Sequence, residues 1–549
     1  MSSAVAPLKL PRFRWLWAAN ILSASGSFIQ MVAGAWLMLE LTGSNTWVGW
    51  MVASPTLPLL FFSLAAGALA DMFSRTKLML IAQLIMGCSA ATMAALTFAD
   101  LINPQILLGL GLLLGAGLAL NLPAWHALVP DLVPRYMVAS AVALNSAAFN
   151  AARAVGPAVG GLVIAGYGAA AGFAVNSATY AAMIAVLAVV GSQLSARDRD
   201  PASIGSAISQ GVRFARFTPP FSRLLTLTAF FAVTSASIQA LLPSRTEGLG
   251  GGAAMLGALL GAMGAGALIG AFARPALMRL IKGSSIPYTI TAFGASGILL
   301  GLAGAPAVAA AAMVLVGFFW LLTLSTLNAA AQLMAPEWIR GRAMSLYMLA
   351  FAGILPVGSI LSGMVADRVG AGAALVVFCS GALVLGAVSP RFRTPRIDDI
   401  RAPEFTGAKR RGPHVDETAL EGGPVIVLNT WRIDQGDFAE FTNRMNDIRL
   451  VRLSTGAYRW RLFRHTSDPT RLTEMFLVES WEEHLAQHSR IDDAAAALIG
   501  EARELDQTGD PTSRHLIAID VENPPDFDEM LAAHDEMHRT DGSIPDQGL

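Results

Sequence analysis

The stretch Asn150-Ala-Ala-Arg153-Ala-Val-Gly156-Pro157-Ala-Val-Gly160-Gly161-Leu-Val-Ile-Ala-Gly-Tyr-Gly168 closes an apolar run over 139–166 and reaches the start of a second run over 168–192. A bilayer core is crossed by a helix of about 20 mostly apolar residues, so each run is long enough to span. Gly156, Gly160 and Gly161 are spaced to let a neighbouring helix approach closely, and Pro157 predicts a kink. Arg153 is a charge inside an apolar helix, where it needs a cavity or a partner. Two readings stay open for it: a pathway cation facing an anion or polyphenol, or a structural arginine near the helix end.

The same stretch has a distant copy. Shifting residues 134–170 by 202 places Pro134 on Pro336, Phe149 on Phe351, Gly156 on Gly358, Gly161 on Gly363 and Gly168 on Gly370. A shift of 203 brings Gly67-Ala-Leu-Ala70 onto Gly270-Ala-Phe-Ala273. Further apolar runs near 16–39, 46–70, 77–98 and 104–122 complete a first set of six. Runs near 222–243, 253–275, 285–304, 306–334, 342–366 and 370–389 make a second six. The expected architecture is an all-α membrane protein of twelve transmembrane helices in two six-helix repeats, with a cavity between the halves opened alternately to each side.

Charge divides the chain in the same way. Residues 1–390 hold 19 Lys and Arg against 9 Asp and Glu, a net +10, while residues 391–549 carry a net −11. The overall charge of −1 is a cancellation between a charge-poor basic piece and a charge-rich acidic one. Overall, 14% of residues are charged, against about a quarter in soluble domains, which disfavours an ordinary soluble enzyme. With twelve spans, Lys9, Arg12, Arg14, Arg135, Arg213, Arg279, Lys282 and the post-390 arginines all collect on one side, and only Arg245 and Arg368 on the other. The bias predicts both termini in the cytoplasm of a bacterial plasma or inner membrane. The segments are then an N-terminal half (1–192), a central cytoplasmic loop (193–220), a second half (221–390), a linker (391–422) and a cytoplasmic domain (423–549). No basic run is interleaved with aromatics, so nucleic acid is not an expected partner. Cys88 and Cys379 are too far apart in sequence to suggest a disulfide or metal framework.

The loop after the second run reads Gly67-Ala-Leu-Ala-Asp71-Met-Phe-Ser-Arg75-Thr-Lys77. It resembles the signature of the major facilitator superfamily, with departures at Met72 and Ser74 and with Arg274 in place of the acid in the second copy. Asp71 would end a helix, where the dipole disfavours a carboxylate, so a latch to Arg340 and Arg342 is expected. Gly67, Asp71, Arg75, Lys77, Arg340 and Arg342 form the expected gate. Gly-Pro-x-x-Gly-Gly at 156–161 resembles the motif of exporting branches, which makes Gly156 and Pro157 an expected hinge. Leu128-Val-Pro-Asp131-Leu-Val-Pro134, Ala141-Val-Ala-Leu-Asn145 and Ala335-Pro-Glu-Trp-Ile-Arg340-Gly-Arg342-Ala-Met-Ser345 narrow the likeness to enterobactin exporters and transmembrane secretion effectors. That resemblance implies export of a small, siderophore- or drug-like molecule, with proton antiport expected at family level and no carrier residue identified. Asn20, Gln30, Asn145, Asn176, Gln239, Asn328, Gln332 and Tyr347 are polar residues within the runs. Some are expected to line the pathway, with Asn20, Gln30, Asn145, Gln239, Asn328 and Gln332 the candidates, while any one of them is more often a bond between helices.

After the linker the pattern becomes that of a compact soluble domain. Strands are expected at 425–431, 457–464, 472–479 and 515–521. A helix is expected over 437–451 with Phe438, Phe441, Met445 and Ile448 on one face, and further helix across 481–507. The order βαββαβ suggests an α+β ferredoxin-like sandwich. It looks like the dimeric α+β-barrel domains related to antibiotic-biosynthesis monooxygenases, with Trp460, Arg461, Trp481, Glu483 and His484 as notable residues; the expected use is a dimerising module, with homodimerisation through this domain, or a regulatory one. His484 with His488, and His534 with His538, have metal-compatible spacing but no third ligand, so neither a metal nor a cofactor is expected. No Gly-rich phosphate-binding motif supports ATP-driven pumping. The alternative to a transporter is a membrane-anchored enzyme whose tail acts on the transported compound.

Overall fold

A computed structural model describes residues 5–62, 74–191, 204–280, 285–392, 424–509, 511–519 and 526–527. Gly67 and Asp71, most of the 391–422 linker, and His534 and His538 lie outside the described residues. The chain divides into two compact units. One comprises Met1–Ile204, Leu224–Ala330 and Tyr347–Arg396, and the other Gly205–Arg223, Ala331–Leu346 and Ile397–Leu549.

The first unit is helical. It contains α1 (Pro11–Thr42), α2 (Asn45–Ala53), α3 (Arg75–Phe98), α4 (Pro104–Leu128) and α5 (Val138–Gly191). After a separate helix α6 (Ile204–Phe217), described below, come α7 (Pro219–Gly248), α8 (Ala253–Leu280), α9 (Ile286–Leu302), α10 (Pro306–Met334), α11 (Arg340–Ala352), α12 (Leu355–Val369) and α13 (Ala371–Val388), of which the start of α7, the end of α10 and α11 up to Leu346 belong to the second unit. Among the described residues, nine helical stretches are long and apolar enough to cross a membrane, and α9 is a shorter apolar helix. Local chemistry sets several ends. α1 stops at Gly43, whose φ of 60° suits a left-handed cap. α4 starts where the Asn103 side chain accepts from the Ile106 amide. α11 and α12 part at Gly353 and Ile354, and Pro356 stands in the first turn of α12, where its missing N–H costs no intrahelical bond.

α5 has 54 residues and is helical except at Gly168, where φ is 78° and ψ is 171°. The expected kink at Pro157 is thus not a break: the helix runs through the proline, and the break falls at the glycine. Gly370, 202 residues later, holds nearly the same conformation, φ 85° and ψ 155°, between α12 and α13. A side chain at either position would be strained. Buried Phe13, Leu16, Met79, Ala124, Met183 and Leu187 pack α1, α3, α4 and α5 together.

In the second unit, the 193–220 loop is not wholly irregular, as its polar composition suggested. Residues 204–217 form α6, with Phe214 and Ala215 buried and Val212 exposed, because its apolar residues recur at helical spacing. The tail folds as β1 (Val425–Arg432), α14 (Phe438–Thr455), β2 (Arg459–Arg464), β3 (Arg471–Val478), α15 (Trp481–Arg490), α16 (Asp493–Arg503) and β4 (Thr512–Ile517). The strands order β2-β3-β1-β4, all neighbours antiparallel, with Val427 opposite Phe476 and His515. Trp431, Phe441, Met445, Ile448, Leu472 and Ile499 form one core cluster between sheet and helices. Phe438 does not join it and is 47% exposed. It opens α14 and lies beside the buried stripe of 441, 445 and 448. The expected fourth strand starts earlier than 515, because its pairing with β1 begins at Thr512 opposite Thr430.

Candidate functional site

The glycines of the 150–161 motif are spent on three close approaches. A Cβ on Gly156 would stand 2.7 Å from the Cβ of Phe28, and one on Gly160 would stand 3.0 Å from the Ile29 Cα, so both glycines admit α1. A Cβ on Gly161 would lie 2.5 Å from the Cα of Gly257, so here the backbones of α5 and α8 touch. The second copy repeats the geometry with other partners. Gly358 abuts Val233 of α7, 2.6 Å from its carbonyl, and Gly363 of α12 meets the backbone of Asn45 and Thr46 on α2. Asn150 lies on an exposed face and donates to the Ser146 carbonyl at 2.8 Å.

Arg153 sits among aromatic rings. Its guanidinium carbon is 5.1 Å from the Trp320 ring centre, 5.2 Å from Phe149 and 5.9 Å from Phe28. The last two rings are themselves 5.7 Å apart. Three aromatic faces around one cation supply quadrupole attraction without neutralising its charge. Gly156 is part of this arrangement, since a side chain there would displace Phe28. Phe28 and Trp320 carry no sequence signal by themselves, as each lies in an apolar run; only the fold brings them to Arg153.

The polar residues expected along the pathway separate into groups. Gln30 accepts from Asn176 at 2.5 Å and donates to the Met93 sulfur at 3.3 Å, both buried, and Ser27 bonds Tyr180 at 3.1 Å. This is bonding between helices α1, α3 and α5. Asn20 and Asn145 bond each other at 3.2 Å. Asn328 reaches the Tyr347 hydroxyl, and Gln332 is exposed. Gln239 lines a small cavity of about 20 Å³ with Met31, Val32, Val52, Leu242 and Leu256.

Of the expected gate residues, Arg75 is the first residue of α3, Lys77 is exposed on it, and Gly67 and Asp71 are outside the described residues. Arg342 donates to the Gln210 side chain of α6, and Arg340 lies 4.0 Å from Glu337. An interhelical latch is instead described at a residue the sequence did not single out. Asp367, near the end of α12, accepts from the Asn45 amide at 2.6 Å, the Thr46 amide at 3.1 Å, and the Ser44 and Thr46 hydroxyls at 2.9 and 2.6 Å. A carboxylate on the first amides of α2 is stabilised by the helix dipole and by charge-assisted hydrogen bonds. Ser44, at the N-cap position, makes no such bond with its own side chain.

In the tail, Glu474 is fully buried and accepts from Arg452 Nε at 3.2 Å, Asn429 at 2.8 Å and Trp460 at 2.9 Å. Arg452 also lies over Phe476, and with His488 and Arg503 it lines a cavity of about 90 Å³. His484 is packed by Trp481, His488 and His515, with ring centres 5.3, 4.7 and 4.7 Å away. Burial, then the neighbouring His488 and His515 and Arg452, push its pKa down to about 2, so the ring is neutral at ordinary pH. Among the described residues no group of three His, Cys, Asp or Glu side chains is placed to hold a metal. Arg461 is exposed, and Glu483 pairs with Arg490 at 2.5 Å.

Long apolar helices, close glycine contacts between them and a cation held among aromatics define a multi-pass membrane transporter of the major facilitator class. More narrowly, the chain belongs to the transmembrane secretion effector family, whose profile matches residues 2–523 and so runs into the tail. It is 27% identical over 397 residues to the multidrug efflux pump Tap of Mycolicibacterium fortuitum, covering 68% of this chain and 95% of that protein. It is 23% identical to the staphyloferrin A transporter of Staphylococcus aureus, over 65% of this chain and 90% of the relative. The fold matches a bacterial homologue of the human lysosomal transporter Spinster with a TM-score of 0.59 at 12% identity, covering 74% of this chain and all of that one. The POT family transporter PepTSo gives 0.57 at 14% identity, over 70% and 98% of the two chains.

Proposed function

We propose that this protein exports a small amphipathic molecule by alternating access, with its two six-helix halves rocking about a shared pathway. The observation that carries the reading is the crossed pair of glycine contacts, Gly161 of α5 on Gly257 of α8 and Gly363 of α12 on Asn45 of α2. Helices that meet through bare backbone are held by short-range packing that separates without unthreading side chains. The 202-residue repeat and the paired conformations of Gly168 and Gly370 support two related halves. Counting α5 as two spans, α11 with α12 as one, and the apolar run of the sequence near 46–70 as one gives twelve.

Arg153 and its aromatic ring favour a substrate with a planar or anionic group. The likeness to a multidrug pump and a siderophore transporter supports the same breadth. The gate of Asp71, Arg75, Lys77, Arg340 and Arg342 closes the Lys/Arg-rich end, which this reading puts in the cytoplasm with both termini; Gly156 and Pro157 flex beside it. Coupling to a proton gradient follows the family resemblance. The tail reads as a ferredoxin-like domain. Its sheet face bearing Ile426, Leu428, Met475 and Leu477, with exposed Phe463 and Leu516, supports pairing with a second copy.

The test is metabolite profiling, inside and outside cells, of a deletion strain restored with the wild type or with Arg153→Ala at equal expression. The expected result is an amphipathic compound retained in the deletion strain, released on restoration with the wild type and released several-fold less with Arg153→Ala. Identical inside-to-outside ratios in all strains overturn the reading.

A further inference from the structure

Three segments far apart in sequence share the second unit: the central-loop helix α6, the 331–346 segment and the tail domain. Their contacts are specific. The Arg490 guanidinium lies 4.3 Å from the ring centre of Trp338. It is held there by both oxygens of Glu483, at 2.5 and 3.0 Å, and by the Thr455 carbonyl at 2.8 Å. Trp338 meets Phe214 of α6 edge-on at 6.4 Å. α6 touches the tail in turn. Phe217 packs on the cluster of Val425, Phe476, Val478 and Trp481, and Arg213, buried, lies 3.7 Å from Glu479. Arg342 donates to Gln210, and Gly211 leaves room for its stem, a Cβ there standing 3.3 Å from the Arg342 Cβ.

Each contact alone is modest. Together they have the anatomy of an interface: an aromatic anchor under a fixed cation, a second aromatic at its edge, an apolar plug, one ion pair and one arginine-to-glutamine hydrogen bond. Arg490 is poorly suited to anything else, because a planar guanidinium pinned by a carboxylate and a carbonyl presents its face and little more. The segment it covers carries Arg340 and Arg342.

We propose that the tail domain is an intrachain regulator of transport, clasping the 335–346 segment and α6 through Arg490 on Trp338, so that release of the clasp changes how readily the Arg340–Arg342 end of the transporter moves. The regulatory part rests on the transporter reading above; the clasp itself does not. Holding a loop against a folded domain protects its amides, and loosening it raises local opening.

The experiment is hydrogen exchange on the full chain in lipid nanodiscs, comparing wild type with Trp338→Leu, Arg490→Ala, Arg490→Lys and an Arg461→Ala control. Trp338→Leu and Arg490→Ala are expected to speed exchange over 335–346 and 205–217 roughly tenfold, with β1 and β3 still protected. Arg490→Lys is expected to fall between, and the control to match wild type. Should Arg490→Ala expose the sheet, Trp338→Leu, which lies outside the tail, carries the test. A second readout is maleimide labelling of Ala343→Cys in a Cys88→Ser chain, a position fully buried when the segment is held; it is expected to quicken with the same variants. Unchanged exchange and labelling in Trp338→Leu overturn the clasp. Export of the profiled metabolite is expected to change at least threefold in Trp338→Leu at equal expression. Unaltered export with a loosened clasp overturns the regulatory role. No export by any version sinks the transporter reading, the exchange result then standing by itself.

Discussion

The Asp367 carboxylate receives the backbone amide of Asn45 at 2.6 Å, across 322 residues of chain. With four further bonds from Ser44, Asn45 and Thr46, it supplies α2 with an N-terminal cap borrowed from α12. The bond closes beside Gly363, where the two backbones already touch. It ties one half of the expected repeat to the other.

Removing this cap frees the α2 end. In a Cys88→Ser chain carrying Val48→Cys, at a position buried in wild type, Asp367→Ala is expected to raise labelling by a membrane-impermeant maleimide several-fold. Asp367→Asn, which keeps an acceptor without charge, is expected to lie between. Equal rates in all three show that the cap does not hold α2 and α12 together.

At the α5–α8 contact the margin is smaller than a methyl group. Gly161→Ala puts a Cβ 2.5 Å from the Gly257 Cα, which no rotamer relieves, so destabilisation of about 1–3 kcal/mol or more is expected. Gly166→Ala, with open space around the new Cβ, is the matched control. Thermal unfolding of the purified proteins should show a lower midpoint for Gly161→Ala alone.

Gly168 and Gly370 combine positive φ with extended ψ. Alanine at either position is expected to cost about 1–3 kcal/mol through backbone strain alone, because nothing lies within 4 Å of a Cβ at either site. Gly304→Ala, equally open and without positive φ, should cost far less. Folded yield after extraction at graded temperatures measures the difference, and equal losses at all three positions count against the strain argument.

The tail should weaken in acid. His484 is held neutral by burial, its pKa pushed down to about 2 against an ordinary value near 6.5. The unfolded chain therefore takes up a proton between those values that the folded chain refuses. The stabilisation is complete above about pH 6.5 and declines as pH falls, by up to about 1.4 kcal/mol per unit. Hydrogen exchange in β1 and β3 of the full chain is expected to show that slope between pH 6 and 4.5, flattened in His484→Gln. A wild-type slope that survives the substitution would assign the effect to other groups.

Much of the helical unit was legible because apolar length is a property of the chain itself. The runs at 306–334 and 370–389 fall within a residue of the helices found at Pro306–Met334 and Ala371–Val388. The positions of Gly168 and Gly370 were marked by the repeat before any backbone angle was known. Polar composition did not reveal the helix α6 inside the 193–220 segment, and a shared helical face did not tell that Phe438, at its start, is exposed while Phe441, Met445 and Ile448 are buried. In the candidate site, Arg153 was visible because a charge in an apolar run is costly wherever it lands. Its ring of Phe28, Phe149 and Trp320 was invisible, since aromatics in apolar runs are ordinary.

Asp367 escaped notice for a related reason. A carboxylate near a helix end reads as a solvated terminus until the helix it caps, 322 residues away, is seen beside it. By itself, the sequence determined which segments are apolar, where the chain repeats itself, and that a charge-rich acidic stretch follows the apolar runs. These are one-dimensional properties: length, period and charge. Tertiary structure alone decided that Arg153 meets three rings, that Asp367 caps α2, and that Arg490 covers Trp338. Phe149 lies only four residues from Arg153, but every other one of these contacts joins residues 125 to 322 apart in the chain, which no local pattern encodes.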